Sequence, residues 1–426
     1  MDKTLLVTLR DPGPAYFVAE ALPRLADTFN VTIIATDPAT SFLASRYPNI
    51  FARENVQVYV PDEIGGELRF VRGGIGEVET SSRLTVGTRL PTHDVEGILR
   101  LKHALQRVVG ELNFTHILRT TPAHMVGVDE VIATALRENG WRQPVLCLQD
   151  FYGVGLCLRG GEISVLPHGV DRIATVDTLA AEIVSRTLPL TPVYIVGWIA
   201  HNQFVIGKPF LQARQHAREM LGLRDQDLMI LYAGSKSGLP IENDLDDFIE
   251  VTDAIQGLMR GNTPMALGFK AHPRMLPEEI REYADAYAHI HQSISPQVIE
   301  SLPYEYAVAA PDLVISSGSA LNIDAIAYRA TAPDSLPPNV GPVSLYTTDG
   351  NTQRAVEYST GMTLLPVHLP GNGSFVADYQ QLRNQLGCAL FDQDSRSEVH
   401  RRASSLFRPT GQSAELLTKF LEGAGD

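Results

Sequence analysis

Leu228-Met229-Ile230-Leu231-Tyr232-Ala233 runs without interruption into Gly234-Ser235-Lys236-Ser237-Gly238. An unbroken apolar run of this length reads as a strand buried on both faces, the kind that fills parallel sheets. The small residues after it let the backbone turn and come close to a ligand. The same succession recurs on the C-terminal side. Met265 to Phe269 leads into Lys270-Ala271-His272-Pro273-Arg274, Leu313 to Ile315 leads into Ser316-Ser317-Gly318-Ser319, and Val343 to Tyr346 supplies a further strand. The intervals between these runs are long enough for crossover helices, so the strands are expected to lie parallel.

Toward the N-terminus the rhythm is similar. Thr4 to Leu9, Val31 to Ala35, Val56 to Val60, His116 to Leu118, Pro144 to Leu148 and Ile173 to Val176 read as short strands. Helical patterns are expected over Ala15 to Phe29, over Val126 to Asn139 and again up to Ser185, with Asp11-Pro12-Gly13-Pro14 as a loop before the first. Gly65 to Leu90, with six glycines and no sustained period, reads as a loop or small hairpin that has room to act as a lid. The pattern pauses after Val193-Tyr194-Ile195-Val196-Gly197, placing a boundary near 197–210. The expected fold class is therefore α/β, with two Rossmann-like, doubly wound parallel-sheet domains facing a cleft, residues 1–200 and 201–426. The final helix, Ser413 to Leu421, is compatible with packing on either.

Composition narrows the function. Apolar residues make up 44% and charged residues 20%, which describes a globular chain rather than a disordered one. A net charge of -14 argues against a nucleic-acid partner, whose phosphates call for a basic face. Three cysteines, Cys147, Cys157 and Cys388, lack metal-ligand spacing and form no disulfide framework, as expected of a cytoplasmic protein. No apolar stretch is long enough to span a membrane, which leaves peripheral contact as the only membrane role, and no signal-peptide pattern opens the chain.

In open parallel sheets ligands bind beyond the carboxyl ends of the strands, where loops meet and helix N-termini present free N–H groups. Gly234 and Ser235, then Lys270, His272 and Arg274, then Ser316, Ser317, Gly318 and Ser319 all follow predicted strands and are expected on one rim. Small residues, hydroxyls and positive side chains in that combination suit a diphosphate. Asp324, a little over one helical turn past Ser319, is placed to accept hydrogen bonds from ribose hydroxyls. Each feature alone has a bland reading: a serine-glycine run can be only an N-cap and turn, and Lys236 or Arg274 only a solvated charge. Their conjunction favours a ligand site.

The segments Lys270-Ala271-His272-Pro273-Arg274, Pro311-Asp312-Leu313-Val314-Ile315-Ser316-Ser317-Gly318-Ser319 and Asp324-Ala325 resemble the C-terminal half of GT-B-fold proteins. The groups most similar are UDP-N-acetylglucosamine 2-epimerases, CDP-glycerol glycerophosphotransferases and bacterial sialyltransferases. The resemblance implies that the Lys-x-His-Pro segment and the serine-rich loop hold a nucleotide phosphate such as that of UDP, and that the acidic residue before alanine grips the ribose. Here that residue is Asp324 where glutamate is usual. The implied activity is transfer of a sugar or related group from a nucleotide-activated donor to an acceptor. Two alternatives stay open: a nucleotide-sugar 2-epimerase or hydrolase, and a non-catalytic binding subunit of the same fold.

The first domain is expected to supply the general base for the acceptor hydroxyl, with Asp150 and His124 ranked above Asp11. Each also has an ordinary reading as a loop or turn residue. No metal or separate cofactor is expected beyond the nucleotide sugar itself. Asp225-Gln226-Asp227, Asp244-Leu245-Asp246 and Asp392-Gln393-Asp394 match a metal-binding Asp-x-Asp pattern, but they fall where aspartate caps helices and closes turns. No Gly-x-Gly-x-x-Gly follows the first strand, which disfavours a nicotinamide or flavin, and neither a Walker loop nor a Gly-x-Ser-x-Gly elbow occurs. Donor base, sugar, acceptor and oligomeric state are not specified by any motif.

Overall fold

The computed structural model describes residues 3–9, 12–35, 37–61, 68–71, 95–111, 114–120, 128–149, 158–159, 162–163, 170–234, 244–258, 265–272, 275–290, 297–298, 302–316, 319–346 and 379–423. Its strands and helices alternate. In the first half they are β1 (Thr4–Leu9), α1 (Pro12–Ala19), α2 (Leu22–Thr28), β2 (Asn30–Ala35), α3 (Asp37–Arg46), α4 (Pro48–Phe51), β3 (Val56–Pro61), β4 (Leu68–Val71), α5 (Val95–Glu111), β5 (His116–Thr120), α6 (Val128–Glu138), β6 (Val145–Leu148), β7 (Leu158–Arg159), β8 (Glu162–Ile163), β9 (Arg172–Thr175), α7 (Thr178–Thr187) and β10 (Val193–Ile195). These short runs become one eight-stranded sheet ordered β10-β9-β6-β5-β1-β2-β3-β4. All its pairings are parallel except β4, which turns back on β3. The small β7–β8 pair is antiparallel and separate.

The second half contributes α8 (Asn202–Ile206), α9 (Phe210–Met220), β11 (Leu228–Ala233), α10 (Asp244–Leu258), β12 (Met265–Lys270), α11 (Pro277–Ile290), β13 (Gln297–Val298), α12 (Tyr304–Ala309), β14 (Leu313–Ser316), α13 (Leu321–Ala330), β15 (Val343–Tyr346), α14 (Tyr379–Phe391), α15 (Gln393–Phe407) and α16 (Ser413–Glu422). Five strands form a parallel sheet ordered β13-β12-β11-β14-β15. Contacts group the chain into one unit of Met1–Asn202 with Gly411–Asp426 and another of Gln203–Thr410. The expected domain of residues 201–426 therefore differs at its tail. There α16 packs on α2, Lys3 Nζ meets Glu422 at 2.6 Å, and Phe420 lies 4.9 Å from Tyr194, ring to ring.

The loop expected over Asp11–Pro14 is also different, because α1 already begins at Pro12. Proline is tolerated in a helix's first turn, where its missing N–H has no intrahelical acceptor. The single helix expected to Phe29 is broken after Ala19. Pro23 inside a continuous helix would drive its ring against the carbonyl four residues earlier, and at the second position of α2 it avoids that clash. Within the stretch 65–90, β4 pairs antiparallel with β3, and the rest of the stretch considered as a lid lies outside the described residues.

In the first unit Leu6, Ile117 and Val145 project from adjacent strands onto Leu101 and Leu105 of α5 and Ile132 and Leu136 of α6. Above that apolar layer Asp129, in the first turn of α6, is fully buried and ties two strands together. It accepts hydrogen bonds from the Thr8 hydroxyl of β1 and, at 3.3 and 3.0 Å, from the backbone N–H and hydroxyl of Thr120 of β5.

The second unit's core packs Ile230, Tyr232, Phe269 and Ile315 against Phe248 of α10 and Leu386 of α14. Its strands are anchored at their amino ends by Asp312, the residue before β14. The carboxylate accepts from Arg214 at 2.5 Å, from Arg218 at 3.3 Å and from the Met229 N–H at 2.9 Å. Arg214 also donates to the carbonyls of Ala309, Ala310 and Pro311, while Arg396 of α15 donates to those of Asp312, Ala389 and Gly341. The terminal nitrogens of Arg214 and Arg396, which would be unfavourable buried and unpaired, thereby find acceptors, and α9 and α15 are held to the sheet.

Candidate functional site

In the second sheet, chain order runs outward from β11 to β12 and β13, then returns to the other side of β11 with β14 and β15. The reversal between β11 and β14 marks the position at which doubly wound sheets bind ligands. Ala233 pairs with Lys270 and Tyr232 with Ile315, so one further step sets Ser316 level with Ala233 and Lys270. The three loops that the sequence nominated leave three adjacent strands at the same height.

Gly234 is the first residue past β11, and its N–H donates to the Lys270 carbonyl at 2.9 Å. A Cβ at this position would stand 2.8 Å from Met275 Cε and 3.2 Å from Phe269 Cε2. Glycine is the residue that leaves this end of β11 uncrowded. Lys270 ends β12 and His272 lies two residues on, both half-buried, with the His272 carbonyl accepting from the Met275 N–H at 2.8 Å.

Ser316 is fully buried at the end of β14, its Oγ accepting from the Ser319 N–H at 2.9 Å. Ser319 is half-buried, and its Oγ accepts from the Leu321 N–H at 3.3 Å as α13 begins. Asp324 sits in the first turn of α13 with 4% exposure, where a carboxylate complements the positive end of the helix. The hydroxyl of Tyr304, on α12, donates to Asp324 Oδ2. Nearby, Asn322 Nδ2 reaches Ser344 Oγ at 2.9 Å and the Leu345 carbonyl at 3.0 Å, fixing the start of α13 across β14 to β15. Tyr304 and Asn322 escaped the sequence reading. Nothing in the local pattern around either marks a partner about one whole element away.

Gly234, Lys270, His272, Ser316, Ser319 and Asp324 are thus placed along one edge of one sheet. Ser235, Arg274, Ser317 and Gly318 lie outside the described residues, as do all three candidate bases, Asp11, His124 and Asp150. Two of the Asp-x-Asp tripeptides have structural work. Asp392 caps α15 by accepting from the Asp394 N–H at 3.0 Å, and Asp227 closes a turn by accepting from the Arg224 N–H at 2.8 Å. Hydrogen bonds from Ser395 and from the N–H groups of Ser395 and Asp394 hold the Asp392 carboxyl below the ordinary carboxylate range.

A doubly wound parallel sheet in each unit, with Gly234, Ser316 and Ser319 at the switch point of the second, defines a GT-B-like fold. Solved structures of that fold match along the whole chain. A UDP-GlcNAc 2-epimerase from Neisseria meningitidis, bound to UDP-GlcNAc, is similar with a TM-score of 0.61 and 12% identity, covering 99% of this chain and 100% of that one. MurG from Acinetobacter baumannii gives 0.54 and 16% identity over 99% of each chain. A glycosyltransferase from Rickettsia africae gives 0.58 and 9% identity over 100% of each. No family model matches the chain, and no curated protein matches it in sequence.

Proposed function

We propose that this chain is a GT-B-type enzyme acting on a nucleotide sugar, with the nucleotide held at the carboxyl edge of the second sheet, and that it transfers the sugar to an acceptor. The observation that carries the reading is the level row of Ala233, Lys270 and Ser316 on strands flanking the switch point, from which Gly234, His272 and Ser319 extend. In this reading Lys270 and His272 neutralise the phosphates, Ser319 donates its hydroxyl proton to a phosphate oxygen, and Asp324, oriented by Tyr304, accepts from a ribose hydroxyl.

The chemical step then breaks the bond from the anomeric carbon to the donor phosphate, and that electron pair leaves on the diphosphate. A new bond forms from the anomeric carbon to the acceptor oxygen, whose proton passes to a first-unit base, with Asp150, His124 and Asp11 as candidates. Positive side chains and the start of α13 stabilise the leaving group, so the reaction is expected to proceed in the presence of EDTA. UDP is the first nucleotide to try, since the Neisseria epimerase structure carries UDP-GlcNAc.

Thermal unfolding with UDP, CDP, CMP, GDP and dTDP tests the binding half. A cognate nucleotide at about a hundred times its Kd adds about 2.7 kcal/mol to the stability of what it binds. His272→Ala should lose most of that gain. If no nucleotide raises the wild-type Tm, or if His272→Ala keeps the full rise, the reading falls. The likeness to the 2-epimerase favours one second reading, epimerisation or hydrolysis without an acceptor. NMR of UDP-GlcNAc incubated with the protein alone separates the two, because a new sugar formed without acceptor belongs to the second.

A further inference from the structure

Arg119, the next-to-last residue of β5, is fully buried, and its two terminal guanidinium nitrogens have no hydrogen-bond partner. Its Nε makes a single long contact, 3.4 Å to the Thr120 carbonyl. Asp129, the buried carboxylate at this end of the strand, is engaged by Thr8 and Thr120 instead. Gln149, just past β6 and 1% exposed, is in a similar state: neither the oxygen nor the nitrogen of its amide has a partner.

These two side chains belong together. β5 and β6 pair in parallel with Arg119 opposite Cys147, and the Gln149 N–H extends the ladder to Ala174 at 2.8 Å. Side chains alternate along a strand, so Arg119, Cys147 and Gln149 project from the same face. The sheet order places β5 beside β1, where the chain, after running from β1 out through β2 and β3, crosses to the other side. Arg119 and Gln149 therefore stand at the carboxyl ends next to the first sheet's own switch point.

Native folds rarely leave a buried cation and a buried amide both unsatisfied, because each forfeits its hydration for nothing. A planar guanidinium fork offers two parallel N–H bonds, the geometry that matches two oxygens of a carboxylate or phosphate, and the amide adds a third donor. A polymer backbone could not reach side chains this enclosed, so a guest there is one small group for which the neighbouring side chains make room. We propose that Arg119 and Gln149 form an oxyanion-binding site at the carboxyl edge of the first sheet, taking the carboxylate or phosphate group of the acceptor substrate. Assignment of the anion to the acceptor rests on the transferase reading above; binding of an anion does not.

The test compares thermal unfolding of the full chain in sodium phosphate, sodium lactate and sodium chloride at matched ionic strength. The wild type is expected to melt about 2–4 °C higher in phosphate or in lactate than in chloride, beyond the general salting effect that Arg119→Met also shows, and the salt that gives this excess identifies the group. His272→Ala should keep that rise, which separates this site from the nucleotide edge of the other unit. Arg119→Met should lose the excess while melting in chloride no lower than the wild type, since an unpaired charge has been replaced by an apolar chain of similar length. Arg119→Lys, which keeps the charge without the fork, and Gln149→Leu should each bind the anion at least several-fold more weakly. The proposal is overturned if neither salt raises the wild-type Tm above chloride, or if Arg119→Met, Arg119→Lys and Gln149→Leu all keep the wild-type rise. UDP stabilisation, read on the same wild-type and His272→Ala proteins, succeeds or fails independently.

Discussion

Replacing Asp312 with alanine removes the one carboxylate that Arg214 and Arg218 share. Both guanidiniums are buried, with side chains 9% and 4% exposed, and the carboxylate itself is 4% exposed. Burial pulls the Arg214 pKa below its ordinary value, and the charge of Asp312 is the largest influence opposing that shift. Breaking such a buried pair from one side costs about 3–5 kcal/mol, because the remaining charge stays out of water. The Met229 N–H loses its acceptor as well, adding about 1 kcal/mol. Against a typical stability of about 5–15 kcal/mol, Asp312→Ala should bring the second unit close to unfolding. Both tryptophans, Trp141 and Trp198, belong to the first unit, so tryptophan emission follows that unit while far-ultraviolet circular dichroism follows both. In urea the dichroism transition should move to lower denaturant for Asp312→Ala and recover in part for Arg214→Met combined with Asp312→Leu. A loss under about 1 kcal/mol would refute the reasoning and show that the backbone carbonyls of Ala309, Ala310 and Pro311 suffice for Arg214.

Three further outcomes are expected. His400 is pushed down to about 3 by burial, then by the charges of Arg329 and Arg396, against a hydrogen bond to the Pro338 carbonyl that favours its charged form. Between pH 6.5 and about 3 the unfolded chain binds this proton and the folded chain does not, so stability falls with falling pH, by about 1.4 kcal/mol per unit at most. Urea midpoints taken at neutral pH and near pH 4.5 should differ less in His400→Gln than in the wild type; equal differences would exclude the effect. Asp129→Ala leaves Thr8 and Thr120 without their shared acceptor and should destabilise the first unit by about 2–4 kcal/mol, seen as an earlier tryptophan transition, whereas an unmoved midpoint would deny the tie between β1 and β5. Gly197→Ala should cost about 1–3 kcal/mol, since Gly197 has φ +89° and a Cβ would meet Ser413 Oγ at 2.5 Å. If strain and clash both act, adding Ser413→Gly will restore only part of the loss.

Much of the architecture was written in local composition. Leu228 to Ala233 and Leu313 to Ile315 are strands because unbroken apolar runs bounded by small residues can be buried only with both faces covered. Asp392 as a helix cap was legible for a similar reason: its partners are two and three residues away. Pro23 splitting one expected helix into two was also present in the sequence, as a ring with no room in a continuous turn.

The level row of Ala233, Lys270 and Ser316 was not legible, because register between strands is set by sheet pairing and not by any one segment. Thr8 finds Asp129 across 121 positions, Arg214 finds Asp312 across 98, and Tyr304 finds Asp324 from another helix. The unmet guanidinium of Arg119 is equally invisible in His116-Ile117-Leu118-Arg119-Thr120, which by itself reads as a strand with an ordinary charge near its end. Periodicity along a chain encodes which faces must be buried. Which polar group meets which across that burial is decided only once the sheet has brought distant segments within hydrogen-bonding distance.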